Sequence, residues 1–306
     1  MAVRYNSFGS PDVLELVEVP EVHPEAGRVR VAVRAVGLNP FDFKMRWGRV
    51  PLKTVVFPRG VCLDFAGVVD EVGEGASYAD GSAVEVGDEV FGWADGGTAR
   101  EQLLAKAANL TRKPAGVSWE VAGSFATIVQ TAHFSLEALE IGAADTVLVS
   151  AAAGSVGFVY SQLAIARGAR VIGTSSEANF ARLEKIGVIP TTYGPGLVDR
   201  VRALAPDGVT AVQDNFGRET IDAGFELGLA ADRICSIVDH DAVAELGLAS
   251  PGQSVKTPAL NEQYIAMVAD GTLSSPVQEV FALAHIREAF ELLEQRHVSG
   301  KIVVVP

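Results

Sequence analysis

The chemistry that can be read first rests on small residues. Ala152-x-Gly154-x-x-Gly157 keeps the G-x-G-x-x-G spacing, with Ala152 in the first glycine's place. Such a turn works through its backbone. Gly154 lets the main chain approach a pyrophosphate, and Gly157 lets the next helix close on the strand. Ser155 and Val156 open that helix, whose free N–H groups and positive dipole end hold phosphate charge. A purely structural tight turn can share this spacing, so the context decides. Thr146 to Ser150 is a short apolar, β-branched run and reads as a buried strand. Phe158 to Arg167 has helical character and stops at Gly168, and Ala169 to Thr174 is a second apolar run. Strand, turn, helix and strand follow within about 30 residues, the size of one βαβ unit.

The end of the second strand decides between NADH and NADPH. An Asp or Glu roughly 20 residues past the first glycine would hold the ribose 2′-hydroxyl. Counting from Ala152 instead reaches Gly173-Thr174-Ser175-Ser176, which contains no acid. Small hydroxyl residues leave room for a 2′-phosphate and can donate to it. Arg182, the nearest cation on the following helix, either pairs with that phosphate or faces solvent. Glu177 would repel a phosphate if it turned inward, but at a helix start it is placed to face solvent. NADPH is the expected cofactor.

The 306 residues carry a net charge of −13, which argues against nucleic acid or an anionic membrane surface as a partner. No apolar run approaches the ~20 residues of a spanning helix, and Met1 to Ser10 lacks an apolar signal core. Cys62 and Cys235 are far apart and suggest no disulfide framework. A cytoplasmic protein is expected. No internal repeat or low-complexity tract is visible.

The elements that must position the glycine turn follow from periodicity. Leu14 to Val19 and Val29 to Val36 alternate like half-buried strands, with Gly27 turning between them. Phe41 to Trp47 reads as a short helix. Ala66 to Val72, Val84 to Phe91 and Ala99 to Leu104 read as further strands, so the first ~115 residues form a small barrel or sandwich. Val121 to Leu139 reads as one or two helices. Beyond Gly173, helices over 179–186, 197–204 and 219–227 alternate with extended runs over 189–193, 209–214 and 233–238. Repeated β-α-β means a parallel doubly wound sheet. Gln263 to Ala269 and Ile286 to Gln295 read as helices, and Ile302 to Val305 as a closing strand. Phe216, after the fourth strand of this sheet, and Val238, at the end of the fifth, complete the cofactor-facing set. The fold class is α/β.

The chain also resembles the medium-chain dehydrogenase/reductase superfamily, in its zinc-free quinone oxidoreductase branch, which includes zeta-crystallin. The resemblance rests on Gly37-Leu-Asn-Pro-Phe-Asp-Phe-Lys-Met-Arg-Trp-Gly48, Asp64-Phe-Ala-Gly-Val-Val-Asp-Glu-Val-Gly73 and Gly87-Asp-Glu-Val-Phe-Gly92. It continues in Ala151-Ala-Ala-Gly-Ser-Val-Gly157 with Gln162-Leu-Ala164, and in His297-Val-Ser-Gly-Lys-Ile-Val-Val304. It implies a GroES-like catalytic domain over 1–117 and 257–306, a Rossmann domain over 118–256 and a cleft between them. It also implies NADPH-linked reduction of quinones or α,β-unsaturated carbonyls, often by a homodimer. It sets Thr131 near the nicotinamide and Tyr193 along the adenosine phosphate.

Zinc-dependent relatives place a ligand Cys where Asn39 stands and a ligand His where Leu63 stands. Leucine has no donor and an amide is a poor zinc ligand, so no metal is expected. The five histidines are scattered. By resemblance Asn39 lies near the nicotinamide, where its amide could donate to the substrate oxygen; its alternative is to cap the following helix. Lys44 stands where relatives carry Tyr or Lys and would stabilise negative charge or supply a proton; its alternative is a solvated surface lysine. The alternative for Thr131 is a helix-interior residue that bonds its own backbone. Asp42 and Arg46 read as a local ion pair. The family's usual glycine is replaced by Cys62, either a reactive thiol or a small buried hydrophobe. Two classes of function follow: a reductase of quinones or enones, or an NADPH-binding protein with little catalysis and a sensing or structural role.

Overall fold

The computed structural model describes residues 1–50, 54–252, 256–295 and 298–306; His297, the start of the last motif, lies outside them. The chain divides into two units, Met1–Thr127 with Lys256–Pro306, and Ile128–Val255.

The first unit is built on strand β3. Its strands are β1 (Ala2–Tyr5), β2 (Glu15–Val17), β3 (Arg28–Gly37), β4 (Arg59–Gly60), β5 (Asp64–Val72), β6 (Glu89–Trp93), β7 (Gln102–Lys106) and β8 (Leu110–Arg112). In β3 the side chains of Val29, Val31 and Val33 are buried while Arg30 and Arg34 alternate with them on the other face. β3 pairs β5 along one edge. Its other edge takes β7 over Arg28–Ala32 and then the C-terminal strand at Val36 and Gly37. Two strands that end the chain in sequence, β14 (Val277–Ala282) and β15 (Lys301–Val305), thereby complete a seven-stranded sheet, and β2-β1-β4 form a smaller one. Phe65, Val69, Val90, Leu103, Phe290, Ile302 and Val304 fill the core between them. Each of the larger side chains contributes about 1.5–3 kcal/mol by leaving water.

Helix α1 (Pro40–Arg46) leaves the end of β3 through Gly37, whose backbone N–H bonds Gly123 O at 2.8 Å. A Cβ on Gly37 would sit 2.5 Å from the Ser124 backbone, and one on Gly123 2.6 Å from Ala35 O. Both glycines are required by this contact. Helices α2 (Trp119–Ala122) and α3 (Ala126–Ala138) follow, and α3 carries the chain into the second unit.

The second unit is a parallel sheet. β9 (Thr146–Val149), β10 (Arg170–Thr174), β11 (Ile189–Thr191), β12 (Ala211–Asp214) and β13 (Ile234–Ser236) lie in the order β11-β10-β9-β12-β13. The strand order reverses between β9 and β12, the switch point where doubly wound sheets bind ligands. α4 (Ser155–Ala166), α5 (Phe180–Lys185), α6 (Leu197–Leu204), α7 (Arg218–Glu226) and α8 (His240–Leu246) connect and flank the strands. α4 is apolar nearly all round and buries Phe158, Val159, Tyr160, Leu163 and Ala164.

Three expectations shift. Val84 to Asp88 is a turn, with Gly87 at φ +100, and the strand begins at Glu89. α9 (Pro258–Ala269) starts five residues before Gln263: Thr257 caps it and Pro258 fills its first position. α10 (Ile286–Glu294) ends one residue before Gln295. β1, β4, β8, α8 and β14 lie outside the expected elements. β14 is mostly exposed and has no alternating apolar signal.

Candidate functional site

Candidate residues collect in two places, one in each unit. In the second unit they surround the turn from β9 into α4. Ala151 takes a left-handed backbone (φ +45), and the Ala152 N–H bonds Thr174 O at 2.9 Å. Thr174 Oγ1 accepts from the Ala151 N–H at 3.3 Å, so the end of β10 holds the turn in place. Ala152 replaces a glycine because β10 makes room for it. A Cβ on Gly173 would come within 2.6 Å of the Ala152 Cβ, so the missing side chain has moved to the neighbouring strand.

The two remaining glycines of the fingerprint differ. A Cβ on Gly157 would lie 2.4 Å from Ala151 O, so the turn itself forbids one. A Cβ on Gly154 would meet only Ala151 O at 3.2 Å. Gly154 is the N-cap of α4 and no side chain caps the helix. The first-turn N–H groups at Ser155, Val156 and Gly157 thus have no helical acceptors, which suits an anion.

Beyond the turn, Thr174 and Ser175 are buried while Ser176 and Glu177 are exposed. The Ser176 hydroxyl accepts from Asn179 Nδ2 at 3.0 Å. Arg182 reaches back from α5, donating to Ala153 O at 2.6 Å with its guanidinium 4.6 Å from the centroid of the Phe158 ring. Burial lowers the guanidinium's pKa from its ordinary value. Tyr193 and Phe216, each two residues past a strand end, are exposed aromatic rings at 53% and 45%. Val238 and Thr131 are half-buried.

Asp214, which sequence reasoning passed over, organises the switch point. It is buried, and Oδ1 accepts from Ser150 Oγ at 3.0 Å and from the backbone N–H groups of Phe216 and Gly217 at 3.0 and 2.8 Å. Oδ2 accepts from Ser236 Oγ at 2.7 Å. One carboxylate thereby ties β9, β12 and β13 together at their carboxyl ends and fixes the Phe216 loop. A buried aspartate closing β12 after Ala211-Val212-Gln213 is the available signal.

In the first unit Asn39 lies in a buried polar cluster. It is 4% exposed, at the N-cap of α1. Its backbone N–H donates to Asp42 Oδ2 at 2.7 Å, its Nδ2 donates to Asp64 Oδ2 at 3.0 Å, and its Oδ1 accepts from Lys301 Nζ at 2.7 Å. Lys301 also donates to Leu38 O at 2.8 Å. Asp64 Oδ1 accepts from Thr127 Oγ1 at 2.5 Å, and Lys256 Nζ donates to Thr127 Oγ1 at 2.9 Å. An ammonium on one side and a carboxylate on the other leave the Asn39 amide one orientation. One Nδ2 hydrogen goes to Asp64; the other is the amide's second donor.

Burial pushes the Asp42 carboxyl up to about 7, against the pull of the Asn39 N–H. Burial lowers the Lys301 ammonium, opposed by Asp64 and Asp42. Cys62 beside them has φ +70, the left-handed region that favours the family's glycine. Burial raises its thiol well above the ordinary value, so the residue behaves as a small hydrophobe. The expected Asp42–Arg46 pair does not form. Arg46 is fully buried, pairs with Glu294, donates to Gly9 O and lies 5.3 Å from the Phe290 ring centroid. Asp42 is spent on the Asn39 N–H one turn away. Lys44 is half-buried on α1. Lys301 opens the apolar strand β15, and nothing in the local sequence marks it as part of this cluster. Among the described residues no group of three His, Cys, Asp or Glu is placed to hold a metal ion.

The family model for the alcohol dehydrogenase GroES-like domain matches residues 25–140, and that for zinc-binding dehydrogenase matches 188–304. Quinone oxidoreductase 1 of Escherichia coli is 26% identical over 334 residues, covering 99% of both chains. A mycobacterial protein solved in complex with NADPH is 28% identical with a TM-score of 0.84, covering 100% of this chain and 99% of that one. A structure of an NAD-dependent alcohol dehydrogenase is 27% identical with a TM-score of 0.87, covering 100% and 99%. A GroES-like unit closed by the chain's last strand, with a Rossmann sheet inserted, defines a dehydrogenase/reductase. The chain belongs to the medium-chain dehydrogenase/reductase superfamily, in its quinone oxidoreductase branch, and is an oxidoreductase.

Proposed function

We propose that this chain is an NADPH-dependent, zinc-independent reductase of quinones or α,β-unsaturated carbonyls. The observation that carries the cofactor assignment is the end of β10. It offers Thr174, Ser175 and Ser176 and no carboxylate, and α5 brings Arg182 onto the glycine turn. Gly154 and the uncapped start of α4 suit the pyrophosphate, and Thr131, Tyr193, Phe216 and Val238 complete the binding set. Bound NADPH supplies a hydride. The chain's own part is to orient the acceptor and meet the negative charge that develops on its oxygen.

Asn39 would do this with its second Nδ2 hydrogen, held by the Lys301–Asp64 clamp, and Lys44 on the same helix would supply positive charge or a proton. The burial of Asn39 favours a second reading of that residue, in which it only fixes the start of α1. Zinc independence rests on the donor set. Leu63 offers nothing, and the Asn39 oxygen already faces an ammonium, which repels a cation. A cytoplasmic homodimer belongs to the same proposal, and the boundaries expected at 117/118 and 256/257 are proposed for the two functional domains.

Steady-state oxidation of NADPH and NADH with a panel of small quinones and enones tests this reading, before and after exhaustive chelation. Higher kcat/KM with NADPH and unchanged rates after chelation are expected. Preference for NADH, or loss of activity restored by zinc, overturns the respective half. Tight NADPH binding with no turnover of any acceptor would favour a sensing or structural role.

A further inference from the structure

Several arginines of this acidic protein are committed to carboxylates. Arg30 pairs with Asp70, Arg46 with Glu294 and Arg233 with Asp145. Arg4 and Arg100, like others in the chain, make no ion pair among the described residues. They are also close together. In β1, Ala2 is paired with Arg100 and Arg4 with Gly60, both antiparallel. Opposed residues share a face of a sheet, as do residues two apart along a strand, so Arg4 and Arg100 lie on one face. Both line an open cavity of about 490 Å³ within the first unit. Its other charged lining residues are Arg59, tethered through Nε to Tyr5 Oη at 3.2 Å, and Asp95, whose side chain is 88% exposed.

The crowding has an electrostatic consequence. Burial lowers the pKa of the Arg100 guanidinium, and the charge on Arg4 lowers it further. The Arg100 Nε is buried and has no acceptor among the described residues. Gly96 and Gly97, which line the same cavity, take left-handed backbones (φ +135 and +73), and neither N–H bonds an acceptor among the described residues. Successive free N–H groups beside guanidinium forks are the elements of an oxyanion cradle.

We propose that the cavity between β1, β4 and the Gly96–Gly97 loop is an anion site that takes the phosphate group of a small molecule. A phosphate offers more acceptor oxygens and more negative charge than a carboxylate, and so meets two guanidinium forks more fully. Val56 and Phe57 line the same cavity and offer an apolar surface to an organic substituent. The site is separate from the glycine turn, which belongs to the other unit, so its ligand need not be the cofactor.

Calorimetric titration of the intact chain tests this with two probes, inorganic phosphate and phenyl phosphate, in chloride buffers of matched ionic strength. Saturable binding that weakens as salt rises is expected. Tighter binding of phenyl phosphate identifies an esterified ligand, and equal binding identifies free phosphate. Arg4→Gln and Arg100→Gln should each weaken binding about tenfold or more while leaving the affinity for NADPH unchanged. Failure of wild-type protein to bind either probe overturns the site. Undiminished binding in both variants overturns its location. Should Arg100→Gln fail to fold, the half-exposed Arg4→Gln decides the location alone.

Discussion

The glycine turn of the second unit and the Asn39 cluster of the first both manage charge, by opposite means. The turn uses backbone. Its parts lie within about 30 residues of each other, its open groups are main-chain N–H groups, and its shape depends on side chains that are missing. The cluster uses side chains drawn from the length of the chain: Asn39, Asp42, Asp64, Thr127, Lys256 and Lys301. A backbone device tolerates substitution wherever no atom is in the way, as Ala152 over Gly173 illustrates. A buried ionic cluster tolerates little, because each member satisfies another.

The sharpest way to break the comparison is at Lys301. Lys301→Met keeps the length of the side chain but strands Asn39 Oδ1, Leu38 O and the charges of Asp64 and Asp42. Removing one partner of a buried ionic group costs about 3–5 kcal/mol, so chemical denaturation should show a loss of that size. A loss below about 1 kcal/mol would mean that the cluster is not interdependent. Next come the two glycines. Gly157→Ala drives a Cβ into Ala151 O and should cost about 1–3 kcal/mol of stability as an overpacked site. Gly154→Val should instead leave the fold largely intact and weaken NADPH at least about tenfold, or about 1.4 kcal/mol. Unchanged NADPH affinity in a folded Gly154→Val protein would remove this turn from the cofactor site.

The last effect is one of pH and is read as the slope of a stability profile. The Asp42 carboxyl stands at about 7 in the folded protein, above the ordinary 3.8. Between those values the folded state holds a proton that the unfolded state has released. Asp42 therefore lowers stability progressively as pH rises from about 4 to 7, and its contribution is level outside that window. Asp42→Asn, which can still accept from the Asn39 N–H, should flatten this part of the stability profile. An unaltered slope in a series of thermal melts would show that Asp42 is ionised throughout.

The sequence by itself determined the parts whose physics is local. The spacing of Ala152, Gly154 and Gly157 lay beside apolar runs of strand and helix length, so the βαβ unit and its uncapped helix start were legible. So was the absence of an acid at Thr174–Ser176, and so was α1, expected over Phe41–Trp47 and found over Pro40–Arg46. The strand order β11-β10-β9-β12-β13 followed from repeated β-α-β units only as a parallel sheet, not as an order. Tertiary structure alone decided the rest. Nothing in the local pattern says that β15 will pair with β3 and deliver Lys301 to Asn39 across 262 positions. Nor does it say that Arg46 will leave Asp42 for Glu294 on α10, or that Asp214 will bind three strands together. Hydrophobic periodicity reports which face of an element is buried. Which buried polar group meets which depends on how distant strands are registered, and that is fixed only when the sheet closes.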